Sequence, residues 1–126
     1  MQPGTFKQEV MRINNAVNQE LFGIGLLWQK VELNEDRVLI FAQNRRVRAL
    51  TAIDGREGLT TRLIDIALLE EYKRRFLEAL RKRFALPIRA LLKDYDPVEE
   101  LAFSLILLDG QAEDLVRKCP ESPTAG

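Results

Sequence analysis

The sequence predicts an α+β fold, a two-layer sandwich in the order helix, strand, strand, helix, strand, strand. A four-stranded, largely antiparallel sheet lies under two helices on one face. Three observations carry this reading. Two long segments repeat apolar residues at spacings of three and four, the mark of a helix with one buried side. Two pairs of short apolar or alternating segments are each joined by a polar turn, the mark of hairpins. The length of 126 residues suits one domain, long enough to bury a core without disulfides.

The first helix runs from about Thr5 to Phe22. Phe6, Val10, Ile13, Val17 and Leu21 form its stripe, Thr5 with Gln8 three residues on suits an N-cap, and Gly23 is a natural stop. Leu26 to Leu33 reads as a strand with Leu27, Val31 and Leu33 on one side and Trp28, Lys30 and Glu32 on the other. Asn34-Glu35-Asp36 turns the chain into a return strand, Val38 to Ala42. Residues 44–58 hold Arg45, Arg46, Arg48 and two glycines and read as a loop with at most one short turn or strand extension.

The second helix spans about Thr61 to Phe84, with Leu69, Tyr72, Phe76, Leu80 and Phe84 as its core stripe. Arg74, Arg75, Glu78, Arg81 and Lys82 form the opposite, exposed arc. Pro87 ends the helix and sets Leu86 extended. The third strand is Ile88 to Lys93, the turn is Asp94-Tyr95-Asp96-Pro97, and the fourth strand is Leu101 to Leu108. One helical turn through Leu115 and Val116 closes a single domain, 1–116, and residues 117–126 read as a disordered tail.

Composition excludes more than it assigns. There is no histidine, and the single cysteine, Cys119, sits in the Pro/Ser/Gly tail, where it reads as an inert surface thiol. Ser-His-Asp, Cys-His and His-zinc chemistry are therefore ruled out. Gly23-Ile24-Gly25 follows a helix rather than a strand, so it is a helix cap and not a phosphate loop. Asp94, Asp96, Glu99 and Glu100 lack the spacing and the glycine of a calcium loop and read as a solvated turn. No catalytic residue, cofactor or metal is assigned. The opening residues, Met1-Gln-Pro-Gly-Thr, do not read as a signal peptide, and the longest apolar run is far short of a span of about 20 residues. With a lone cysteine, these features suggest a cytoplasmic protein.

The charges sum to zero, but thirteen of the nineteen basic residues fall within residues 37–89, against six acidic ones. Arg45, Arg46 and Arg48, with Arg74, Arg75, Arg81 and Lys82, form the candidate anion- or partner-binding set, since guanidinium forks suit phosphate and carboxylate. A zero net charge exerts no long-range pull on nucleic acid, so solvated helix faces explain these residues better than a polyanion site.

The span from about Phe6 to Asp109 resembles the bacterial MpsC-like family. The resemblance rests on Ile13-Asn14-Asn15-Ala16-Val17, on Gly23-Ile24-Gly25, on the hairpin Trp28 to Leu33 and Arg37 to Phe41, and on Glu70-Glu71-Tyr72-Lys73-Arg74. The most specific part is Leu86-Pro87-Ile88-Arg89-Ala90-Leu91-Leu92-Lys93-Asp94, followed by Ala102-Phe103-Ser104-Leu105-Ile106-Leu107-Leu108. Leu26 stands where the family commonly has proline. The resemblance implies an accessory role beside a sodium-translocating, membrane-potential-generating system, with no catalytic residues. The link to a membrane complex would then run through a partner.

The functional expectation is a non-enzymatic binding or accessory protein. A nucleic-acid or phosphate-ligand binder using the arginine-rich middle is the alternative. Two helices cover one sheet face, yet strands two and four are apolar on both, so the second face needs cover. A homodimer or a protein partner is expected there, with Trp28, Ile106 and Leu108 at the contact. The competing expectation is that residues 44–60 or the turn at Leu115 fold over that face.

Overall fold

In the computed structural model, which describes residues 1–122, the chain runs α1 (Pro3–Phe22), β1 (Trp28–Asn34), β2 (Arg37–Gln43), α2 (Arg48–Ile53), α3 (Gly58–Arg83), β3 (Ile88–Asp96), β4 (Leu101–Leu108) and α4 (Ala112–Arg117). The α+β class and the helix-strand-strand-helix-strand-strand order are as the sequence predicts. Helix α4 takes up the helical turn expected through Leu115 and Val116, and α2 is an added short helix in the segment read as a loop. The four strands form one antiparallel sheet in the order β1-β2-β4-β3. Each hairpin partner is adjacent, and β4 pairs with both β2 and β3, so β1 and β3 are the edges.

Helix α1 opens at Pro3 rather than at Thr5. Proline has no N–H to lose in the first turn and a preset φ, so it starts the helix earlier, and Gln2 occupies the cap without a side-chain bond. Gly23 stops it as expected: its φ is 74°, and its N–H donates to the carbonyl of Gln19 at 2.9 Å. Strand β3 runs on to Asp96, past the expected Lys93. The turn is displaced with it: Asp96 Oδ1 accepts the N–H groups of Val98 and Glu99 at 2.9 and 3.1 Å, and Glu100 takes a φ of 57°.

The core lies between α1, α3 and one sheet face. Phe6, Val10, Ile13 and Val17 meet Tyr72, Phe76, Leu80 and Phe84 over Val31, Val38, Ile40, Ile106 and Leu108. The Phe6 and Phe84 rings are 4.7 Å apart and tilted by 55°, a favourable aromatic geometry. Alternation along β4 decides the sides: Ala102, Ser104, Ile106 and Leu108 are buried, while Leu101, Phe103, Leu105 and Leu107 face the other way.

The ends of the domain differ from the expectation. Residues 117–122 are not a detached tail. Ala112, Val116 and Cys119 join the core beside Met1, and the amino group of Met1 donates to the carbonyls of Arg117 and Cys119 at 3.1 and 2.9 Å. Cys119 is buried rather than at the surface, and burial pushes its thiol pKa up. The remaining tail residues, 123–126, lie outside the described ones.

Candidate functional site

Two features stand out, and β3 borders both. The first is the sheet face opposite the helices. Leu39, Phe41, Phe103, Leu105, Leu107 and Leu92 lie there, with Trp28 51% and Leu92 58% exposed. The Phe41 and Phe103 rings meet across strands with centroids 4.9 Å apart and a tilt of 45°. Neither competing segment covers this face. Residues 44–60 form a loop and α2, which packs beside α3, and α4 packs on α1 and β1 from the core side.

Trp28 is on this open face, as expected from its alternation. Ile106 and Leu108 are not: they are 2% and 1% exposed beneath the helices. The reason is parity. With β4 apolar on both sides, the sequence does not say which set the helices take, and they take the set that includes Ala102 and Ser104.

The pairing register aligns residues of the open face in rows. Lys30, Phe41, Phe103 and Asp94 lie in one row across the four strands. Glu32, Leu39, Leu105 and Leu92 form the next. Each row therefore has a charged or apolar end on each edge strand, and the first carries a cation at one end and an anion at the other.

The second feature is a cavity of about 490 Å³ between the first half of α3 and strand β3. Phe22, Val47, Leu50, Ile66, Leu69 and the rings of Tyr72 and Tyr95 supply its apolar wall, and Arg45, Arg46, Arg62, Asp65, Lys93 and Asp94 its charged groups. Lys93 lies between Leu91 and Tyr95 on the helix-covered side of β3, so it points inward from an edge strand. Its Nζ is 3.2 Å from the centre of the Tyr72 ring. Burial drives its pKa down to about 7, while the π-face of Tyr72 favours the charged form.

Tyr72 is held by buried amides. Its hydroxyl donates to Asn14 Oδ1. Asn18 Nδ2 donates to the carbonyl and Oδ1 of Asn14 at 2.8 and 3.2 Å, and Asn44 Nδ2 donates to Asn18 Oδ1 at 2.9 Å. The Tyr95 hydroxyl donates to the Asn44 carbonyl at 2.7 Å, and burial pushes its pKa up to about 12. This chain of bonds joins α1, the loop after β2, α3 and β3, and sets the floor of the cavity.

The arginines divide. Arg46 is enclosed, with a 6% exposed side chain. Its guanidinium forks onto Asp54 at 2.7 and 2.8 Å and onto Asp65 at 2.7 and 3.1 Å, and its N–H donates to Glu100 Oε2 at 2.6 Å. Arg46 thus binds this chain's own carboxylates and is withdrawn from the anion-binding set. Arg45 and Arg48 are exposed. Arg74 pairs with Glu71 and Glu78. Arg75, half-buried rather than exposed, pairs with Glu71 and Glu20. Arg81 and Lys82 are exposed at the far end of α3, about 24 Å along the helix from Asp65. The two basic groups do not converge.

Among the described residues no cluster of His, Cys, Asp and Glu could hold a metal ion, and no helix is long and apolar enough to cross a membrane. The acidic turn uses its carboxylates locally: Asp96 caps N–H groups and Glu100 holds Arg46. Lys93 and the asparagines were not singled out from the sequence. The available signals were a lysine in an inward position between Leu91 and Tyr95, and Asn14 and Asn18 one turn apart beside an apolar stripe. No family model, curated protein or solved structure matches the chain.

Proposed function

We propose that this protein works by association. It forms a two-fold homodimer through its open sheet face, and as a dimer it serves as a non-enzymatic accessory subunit. The MpsC-like resemblance names a membrane-potential-generating, sodium-translocating system as the assembly it would serve.

The observation that carries the dimer is the row Lys30, Phe41, Phe103, Asp94. A two-fold axis parallel to the strands, between two such faces, lays each row over its own reverse. Lys30 of one copy then stands over Asp94 of the other, and Phe41 over Phe103. Packed sheets keep their strands within about 30°, so the match survives the twist near the centre. The apolar centre with charges at the rim is the usual anatomy of such a contact. A second copy therefore fits this face in both shape class and charge.

Light scattering tests the reading. The chain is expected to run as a dimer at micromolar concentration, and Leu92→Asp, at a solvent-exposed position, is expected to run as a folded monomer. A wild-type monomer at those concentrations overturns the dimer. Failure of the dimer to associate with membranes carrying the sodium-translocating complex overturns the accessory role while leaving the dimer intact.

A further inference from the structure

We infer that the cavity between α3 and β3 is a binding site for a small organic acid with an apolar body, its carboxylate held by the Lys93 ammonium. The cavity volume of about 490 Å³ is within the range of small-molecule sites. Its walls are mostly aliphatic and aromatic, and of its four cationic residues Lys93 is the one that points inward from β3.

Lys93 makes no ion pair or hydrogen bond among the described residues. Two carboxylates, Asp65 and Asp94, also line the cavity, and neither pairs with Lys93. Asp65, on α3, is held by Arg46, and Asp94, though it borders the cavity, alternates away from Lys93 along β3 and accepts the N–H of Tyr95 on its Oδ1. Tyr72 offers only its ring face, because its hydroxyl is turned to Asn14. A half-buried ammonium without a counter-ion is unfavourable, and an incoming carboxylate supplies the missing charge. Arg45 and Arg62 also line the cavity, are exposed and have no carboxylate partner among the described residues. They add positive potential at the mouth. An inward lysine on an edge strand also discourages edge-to-edge pairing, but that role needs no cavity above it.

The proposal does not depend on the dimer, because Lys93 faces the helix-covered side of β3 and Leu92 the open side. The probes are decanoate, decanol and decylamine below their micelle concentrations, titrated calorimetrically into the full chain. Decanoate is expected to bind at least about tenfold more tightly than decanol, and decylamine not at all. Since carboxylate binding requires the protonated amine, decanoate affinity is expected to fall about fiftyfold between pH 7 and pH 9, with proton uptake seen as a buffer-dependent heat. Lys93→Arg is expected to remove most of that pH dependence while retaining binding. Lys93→Met is expected to abolish the preference for decanoate over decanol. Leu92→Asp is expected to bind decanoate as wild type does, which separates the cavity from the open face. Equal binding of decanoate and decanol, decanoate binding unaffected in Lys93→Met, or no binding heat overturns the site.

Discussion

The ammonium of Lys93 lies 3.2 Å from the centre of the Tyr72 ring, a contact between an inward residue of an edge strand and the buried tyrosine of the long helix. Burial lowers the lysine pKa to about 7, below its unfolded value of about 10.4. The sign of the consequence follows from proton counting. Between those two values the unfolded chain binds the extra proton and the folded one does not, so folding gains stability as pH rises through that window. The melting temperature of the wild type is expected to rise from pH 7 to pH 10 relative to Lys93→Met, and Lys93→Met is expected to be the more stable at pH 7. Parallel profiles for the two proteins exclude a strained lysine.

The amide chain under Tyr72 is expected to matter through its hydroxyl. Tyr72→Phe keeps the ring under Lys93 but removes the donor to Asn14, at a cost of about 1–2 kcal/mol in urea unfolding. The lysine pKa, read by NMR of the Nζ group, is expected to stay near 7. A large upward movement would assign the shift to the phenol rather than to burial.

The helix arc and core stripe of α3 separate by a pair of substitutions. Phe76 is fully enclosed, so Phe76→Ala is expected to cost about 3–5 kcal/mol. Arg81 is exposed, and Arg81→Glu is expected to stay within about 0.5 kcal/mol. Comparable midpoints for F76A and wild type contradict the packing described above.

Arg46 acts as an internal clamp. Arg46→Ala is expected to destabilise by about 2 kcal/mol, and Arg46→Lys to recover little of it, since an ammonium cannot fork onto two carboxylates. The guanidinium holds the Asp54 carboxyl below its ordinary value. Its contribution is present at neutral pH and is lost as pH falls through the lowered value. In Arg46→Ala, NMR titration is expected to return Asp54 to the usual carboxylate range.

The row Lys30, Phe41, Phe103, Asp94 predicts a reciprocal charge swap. Lys30→Glu and Asp94→Lys are each expected to weaken dimerisation severalfold, and the double substitution to restore it. Part of the Lys30→Glu effect comes from the lost bond to Glu32 at 2.9 Å, which the double variant does not repair. Additive weakening in the double variant means the two residues do not meet across an axis.

The sequence by itself determined the class of this protein, its element order and most of its helix and strand spans, because local periodicity reports which residues share a face. The stripe Phe6, Val10, Ile13, Val17 and the stripe Tyr72, Phe76, Leu80, Phe84 are both buried as their spacing dictates. Gly23 and the alternation of Trp28 against Val31 were equally readable. Only the tertiary structure decided the rest. Where β4 is apolar on both sides, parity does not tell Ile106 from Leu105, and only the docking of two helices on one face makes the choice. Arg46 looks like its exposed neighbours Arg45 and Arg48 until Asp54 and Asp65 are brought to it from later in the chain. Lys93 and Tyr72 are twenty-one residues apart, and no local pattern links them. The cavity is lined from the segment after β2, α2, α3 and β3, and residues so far apart in the chain are brought around one space only by packing between elements.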